Sequence, residues 1–328
     1  MSRQRALASL LRRTGITALR LRHYPRRLPV LAYHRILDDD TDPAALSDPG
    51  LFSIRLSDFR RQLQWLTRYF DCITFQDLRR HPGHRPPLII TFDDGYEDNY
   101  RLAWPALCDA GAAAVFFVTT DFIDHRTALW FDRASHALRA GGAKLPEDFL
   151  RRLPAAQPGE SLLQRCLLWL KSLDQQQRES MLLLLEQHGH AGSGPADIPM
   201  TWDQLREMAA SGMEIGSHSC SHAVLANETA AQIRAELSQS KQRIEHEIGQ
   251  PCLSLAYPVG GDTAISDEVV EEARQCGYAY ACSYVSGMNA RPPAMPWRLN
   301  RLHVELDQSD AELGASIAFP SLFGYRRR

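Results

Sequence analysis

Two carboxylates stand side by side in Thr91-Phe92-Asp93-Asp94-Gly95-Tyr96, where the apolar run Leu88-Ile89-Ile90 gives way to a glycine. Burying acids at the end of a strand is expensive unless a cation or a reaction uses them. Like charges that close push one pKa upward. A divalent cation removes the conflict: one carboxylate ligates it and the other stays free as a base toward water. The plainer alternative is that one acid merely caps the helix following Gly95, but the buried strand ahead of it favours chemistry. Far down the chain, His218-Ser219-Cys220-Ser221-His222 sets two imidazoles four residues apart. On a helix or a tight turn that spacing suits a shared metal. Two His and one carboxylate leave open positions for water and substrate. Cys220 is expected to pack as a small residue, since the set is complete without a thiolate. The reading is a metal-assisted hydrolase.

These residues need a scaffold. Short apolar runs read as strands at Val30–Tyr33, Leu88–Phe92, Ala114–Val118, Met213–Gly216, Leu253–Tyr257, Tyr278–Ser283 and Leu299–Val304. Between them, helical spacing predicts helices at Ser57–Phe70, Asn99–Ala110, from Thr201, at Glu228–Ile248 and at Ser266–Cys276. Phe59, Leu63, Leu66 and Phe70 share one helical face, Gly111 is a plausible C-terminal stop, and Thr201 with Gln204 matches a capping box. Strands apolar on both faces that alternate with helices imply a parallel sheet covered by helices. Seven strands could close into a barrel, and an open doubly wound sheet is the other solution. In either, the site belongs at the C-terminal strand ends. Asp93, Asp94, His218, Tyr257 and His303 all lie at or just past such ends. Residues 121–200 interrupt the alternation with leucine-rich helical stretches and a Gly/Ser/Pro-rich exit at Gly189–Pro195, and read as an inserted helical subdomain or lid.

The 328 residues carry 44% hydrophobic and 23% charged side chains, enough for a sizeable core. A net charge of -2 gives no global pull toward nucleic acid. Seven cysteines without a CxxC pair argue against a disulfide framework or a zinc ribbon. Residues 1–37 hold nine arginines and no acid, with Leu7, Leu10, Leu11, Leu19 and Leu21 interleaved. That pattern is either a basic amphipathic segment for an anionic membrane surface or a solvated, frayed extension. It lacks the apolar core of a secretory signal, so a cytoplasmic location is expected, with peripheral contact on the inner membrane face.

The two chemistry-bearing motifs, in this order, resemble the polysaccharide deacetylase family (carbohydrate esterase family 4). Thr91-Phe92-Asp93-Asp94-Gly95 is similar to its first motif and His218–His222 to its second, while Leu255-Ala256-Tyr257-Pro258-Val259-Gly260 looks like a variant of its third. The resemblance implies a distorted (β/α) barrel of about seven parallel strands over residues 29–305, with the helical insert at 121–200, a basic extension at 1–28 and a tail at 306–328. It implies a divalent metal, most often zinc, and hydrolysis of N-acetyl groups on an amino-sugar glycan or polysaccharide. Position by position, Asp93 would be the general base, Asp94, His218 and His222 would hold the metal, and the Tyr257 N–H would help stabilise the oxyanion. Tyr33-His34 at the end of the first strand is similar to the subset acting on exported poly-N-acetylglucosamine, which makes His34 a candidate for polarising substrate or protonating the leaving amine. A buried, hydrogen-bonded strand-end histidine is the plainer reading of His34.

Two departures stand out. The third motif lacks its usual arginine, and Arg298 or Arg301 is the expected substitute beside Asp93. The final motif is faint in Leu302-His303-Val304, so His303 is either a second candidate acid or a simple strand residue. Trp130, Phe131, Trp202 and Trp297 offer flat surfaces for sugar rings, with core packing the plainer expectation. O-acetyl ester cleavage, cyclic amide hydrolysis and a decayed carbohydrate-binding protein are the competing functional readings.

Overall fold

A computed structural model describes residues 3–22, 26–42, 49–78, 80–81, 85–140, 145–187, 197–306 and 308–323. Eight parallel strands organise the chain: β1 (Val30–Tyr33), β2 (Asp71–Cys72), β3 (Pro87–Phe92), β4 (Val115–Val118), β5 (Glu214–Ser217), β6 (Ser254–Ala256), β7 (Tyr280–Ser286) and β8 (Leu299–His303). Seven of them run β1-β3-β4-β5-β6-β7-β8 and close through a β8–β1 pairing, with β2 added outside β3. The seven expected strands are therefore all present and the barrel is closed. β2, two residues long, is too short to carry a pattern of its own.

Alternation along the strands explains the two cores. Val30, Ile89, Val115, Phe117, Ala256, Cys282 and Leu299 pack together inside the barrel. Their neighbours Leu31, Tyr33, Ile90, Phe92, Phe116 and Leu302 face outward against the helices. Extending the inner register by steps of two carries Ile89 to Thr91 and Asp93, Leu299 to Arg301 and His303, and Cys282 to Tyr284. The barrel interior is thus apolar at the bottom and polar at the mouth. Gly216 belongs to this inner register: a Cβ there would meet the Phe117 ring at 2.6 Å.

The outer helices include α3 (Leu56–Tyr69), α4 (Trp104–Ala110), α10 (Trp202–Ala210), α11 (Ala230–Ile248) and α12 (Asp267–Gln275). α3 buries Phe59, Leu63 and Leu66 as its spacing predicts. The capping box of α10 is present: the Thr201 hydroxyl accepts from Gln204 N at 3.2 Å and the Gln204 side chain accepts from Thr201 N at 2.8 Å. The helix expected at Asn99–Ala110 begins as a π-helical turn at Asn99–Ala103 and ends at Gly111 in the left-handed region.

The insert contributes α5 (Thr120–His125), α6 (Trp130–Ala140), α7 (Glu147–Arg152), α8 (Leu162–Lys171) and α9 (Gln175–Glu186). These bury a core of their own around Phe131, Phe149, Cys166, Leu170 and Leu182. Its expected exit, Gly189–Pro195, lies outside the described residues. Before the barrel come α1 (Arg3–Arg13) and α2 (Ile16–Arg22), and after it α13 (Asp310–Ala318). The frayed alternative for the basic segment does not hold for its described residues. α1 seats Ala8 against Ala311 and Ala315, while Thr17 and Leu21 are buried on α2. The 306–328 tail is likewise more than a tail, because α13 is buried along most of its length. Gly314 permits this closeness, since a Cβ there would meet Trp65 at 3.2 Å and Thr17 at 3.3 Å. Among the described residues no helix is long and apolar enough to cross a membrane.

Candidate active site

The acidic pair leaves β3 through a left-handed turn, with φ 78° at Asp94 and 101° at Gly95. Adjacent strand residues point to opposite faces. Asp93 already belongs to the inner register, and the turn swings Asp94 to the same side. The Asp94 carbonyl accepts from Thr119 N at 3.1 Å, which fixes the turn against the end of β4. Gly95 packs 3.3 Å from Val118 and Ile123 by the measure of an added Cβ, so its positive φ and its lack of a side chain are both used.

His218 and His222 come together on a tight turn after β5, the second of the two geometries their spacing allowed. Ser219 and His222 both take positive φ, 64° and 58°. Such conformations cost energy and cluster at functional sites. The turn is braced by hydrogen bonds: Ser219 N donates to the Ser217 hydroxyl and His222 N to the Ser219 hydroxyl. Cys220 N, Ser221 N and the Ser221 hydroxyl all donate to Glu236 of α11. Glu236 carried no sequence signal, because it lies a whole helix away from the motif. Cys220 packs as expected, its thiol directed at the Glu236 carbonyl.

Asp94, His218 and His222 are buried, and one ligand atom from each lies within 4.8 Å of the others. Each histidine Nε2 is 3.4 Å from Asp94 Oδ1. Both Asp94 oxygens are buried without a hydrogen-bond partner. An ionised carboxylate left this way would cost several kcal/mol, on the order of what a bound cation removes. His218 Nδ1 sits 2.7 Å from the Ala256 carbonyl, which fixes the tautomer that leaves Nε2 free to ligate. The donor set therefore fits a divalent metal. Trp130 Nε1 lies 3.2 Å from both the His222 carbonyl and Nδ1. Indole only donates, so when His222 ligates through Nε2 and Nδ1 carries the proton, the carbonyl is the acceptor. Phe131 closes on the same imidazole edge-on at 5.1 Å.

Asp93 is gripped by Arg301, which donates two 2.7 Å hydrogen bonds to its oxygens and a third to the Ser283 carbonyl. Burial alone would raise the Asp93 carboxyl, but the guanidinium and His218 outweigh it and hold the group below the ordinary carboxylate range. The arginine missing from the third motif is thus supplied from β8. Arg298 pairs with Asp267 instead. His34 Nε2 is 3.9 Å from Asp93 Oδ2, with its ring edge on Tyr284. His303 stacks flat on Tyr284 with ring centroids 3.7 Å apart, and is not among the residues lining the pocket. The cavity, about 170 Å³, opens between Asp93, Asp94, His218, His222, His34, Tyr257 and Tyr284, with Trp130, Phe131, Leu167 and Lys171 of the insert forming one wall.

One expectation fails on geometry. The Tyr257 N–H donates to the Cys282 carbonyl at 3.0 Å as part of the β6–β7 ladder, so it is not free to meet an oxyanion. Tyr257 lines the pocket, and its hydroxyl is spent on the Trp297 carbonyl. Trp202 and Trp297 serve packing, through Asp124 and the Tyr278 carbonyl, whereas Trp130 and Phe131 face the site. Tyr284 was missed, although its place two residues past Cys282 in the inner register marks it.

The sequence profile described as Polysaccharide deacetylase matches residues 80–281, well over half of the chain and including both motifs. The chain belongs to the polysaccharide deacetylase family. It is a hydrolase of carbon–nitrogen bonds. YxkH of Bacillus subtilis (strain 168), a protein that carries the polysaccharide deacetylase name, is 23% identical over 299 residues, covering 89% of this deacetylase and 77% of YxkH. The deacetylase PplD of Streptococcus pyogenes, solved with acetate, superposes with a TM-score of 0.60 at 18% identity, covering 88% of this chain and 97% of PplD. A de-N-acetylase from Aggregatibacter actinomycetemcomitans gives 0.52 at 18% identity, covering 86% and 97%. At these identities the superpositions establish the shared barrel.

Proposed function

We propose that this deacetylase removes N-acetyl groups from an amino-sugar glycan or polysaccharide with a divalent metal, zinc being the best match to two imidazoles and a carboxylate. The observation that carries the reading is the buried Asp94 carboxylate, without a hydrogen bond and flanked at 3.4 Å by two imidazole nitrogens, beside a second carboxylate locked by Arg301. A metal held there supplies Lewis-acid polarisation of an acyl carbonyl and a lower pKa for water. Asp93, kept ionised, takes the proton from the attacking water. Arg301 fixes the orientation of that carboxylate through its paired hydrogen bonds. His34, at the pocket wall and near Asp93, protonates the departing amine. His303 backs Tyr284 and leaves the acid role to His34. Trp130 and Phe131 exclude water from one side of the metal site and present an apolar wall to the acetyl group or a sugar ring.

The test is acetate release from matched N-acetylated and O-acetylated oligosaccharides, with and without a chelator. The proposal expects release from the N-acetylated set that chelator abolishes and added zinc restores. Release from the O-acetylated set alone would move the assignment to an esterase, and no release from either would point to a binding protein.

A further inference from the structure

We propose that the face of α1 and α2 turned away from α13 docks on an anionic lipid bilayer. Both helices bury one side against the body of the protein: Ala8 on α1, and Thr17 and Leu21 on α2. The opposite sides are apolar and exposed. Leu7 is 44% exposed, Leu10 56%, Ile16 45% and Leu19 62%, four of the eleven large apolar side chains that stand out from the described surface. On α1, Arg3, Leu7 and Leu10 follow i, i+4, i+7 spacing and share a face, with Arg13 beside it. On α2, Ile16 and Leu19 lie three apart, on the side away from Thr17 and Leu21.

Charge selects the occupant. Residues 1–37 contain nine arginines and no acid. Arg5 and Arg12 meet Glu312 and Asp310 on α13, so the acids near these helices lie on their buried side. The outward face is left with leucines set among cations, the composition of an interfacial helix on anionic lipid. A second copy of the chain across a twofold axis would set this basic face against itself. A docked enzyme would meet glycans held near a membrane, and the inference stands whether or not the N-acetyl assignment does.

The experiment is vesicle flotation of the full chain with pure phosphatidylcholine and with phosphatidylglycerol-rich vesicles, at low and high salt. Three proteins are compared: the parent, L7S/L10S/L19S, which keeps every charge, and R3Q/R13Q. The substituted side chains are exposed, so melting temperature and acetate release serve as controls for folding. The parent is expected to bind anionic vesicles roughly tenfold better than neutral ones, with salt weakening the difference. Both variants should lose most of that binding. A parent that does not float with anionic vesicles, or a serine variant that floats like the parent, overturns the proposal. Light scattering that shows a dimer dissolved by L7S/L10S/L19S, without vesicle binding, overturns it in favour of self-association.

Discussion

Replacing Arg301 with Met would remove both 2.7 Å hydrogen bonds from Asp93 while filling similar space in the barrel. Asp93 is 1% exposed and Arg301 wholly buried, so the carboxylate would be left as an uncompensated buried charge. Breaking such a pair from one side costs about 3–5 kcal/mol. That is a large share of the roughly 5–15 kcal/mol that holds a protein folded. The charge has one escape: Asp93 can take up a proton, which costs about 1.4 kcal/mol for each unit by which the pH exceeds its pKa. R301M should therefore be markedly less unstable at pH 5 than at pH 7, and the acidic limb of its rate–pH profile should move upward as the base becomes harder to ionise. Denaturant titrations of the parent, R301M, D93N and the double variant close a cycle. With both charges gone, the double variant should be more stable than the sum of the single losses by about 2–3 kcal/mol. A cost for R301M below about 1 kcal/mol, with additive losses, would refute the view that Arg301 stands in for the absent third-motif arginine.

His34→Gln should lower kcat by about 10²–10⁴ while leaving metal affinity intact, and His303→Gln should cost far less; equal losses would return His303 to contention as the acid. Trp130→Phe keeps the aromatic wall but removes the donor to the His222 carbonyl, so chelator competition should show metal held about 10–100-fold more weakly. In the insert, burial and then the nearby Asp197 charge push the Asp132 carboxyl well above its ordinary range. The folded chain then keeps a proton that the unfolded chain releases, so this group makes stability fall as pH rises from about 4 toward the folded pKa. Asp132→Asn should flatten that part of the stability–pH curve, and a curve unchanged by the substitution would show that Asp132 titrates normally.

Much of this was legible from residues alone, for identifiable reasons. Most barrel strands are buried on both faces and carry short apolar runs, as in Val30–Tyr33, Pro87–Phe92 and Val115–Val118, which is why the alternation of strands and helices stood out. The two motifs that bring Asp94, His218 and His222 together stand out because buried acids and imidazoles at strand ends are costly without a use. Arg301 was harder: it stands in the inner register of β8, but that register means nothing until the barrel closes and sets β8 across from β3. Tyr284 shares the inner register of Cys282 on β7, a sign that likewise counts only once the barrel closes, while Glu236 reaches the site from α11 through contacts that no local spacing encodes. Trp130 was read as a sugar platform or core residue, and its hydrogen bond to His222 depends on how the insert folds back over β5. The Tyr257 N–H could be excluded only once its ladder partner on β7 was visible. The helix at Asp310–Ala318 did have a local sign, the Ser309 and Glu312 capping box.

A metal held by Asp94, His218 and His222 is central to the proposed chemistry, and its most direct measurement is elemental analysis of the purified full chain beside Asp94→Ala, run with acetate release on the same samples. The expected result is about one divalent ion per parent chain, with neither metal nor acetate release in the variant. A metal-free parent that still releases acetate at full rate, or an Asp94→Ala protein that keeps its ion, would contradict metal binding at this site.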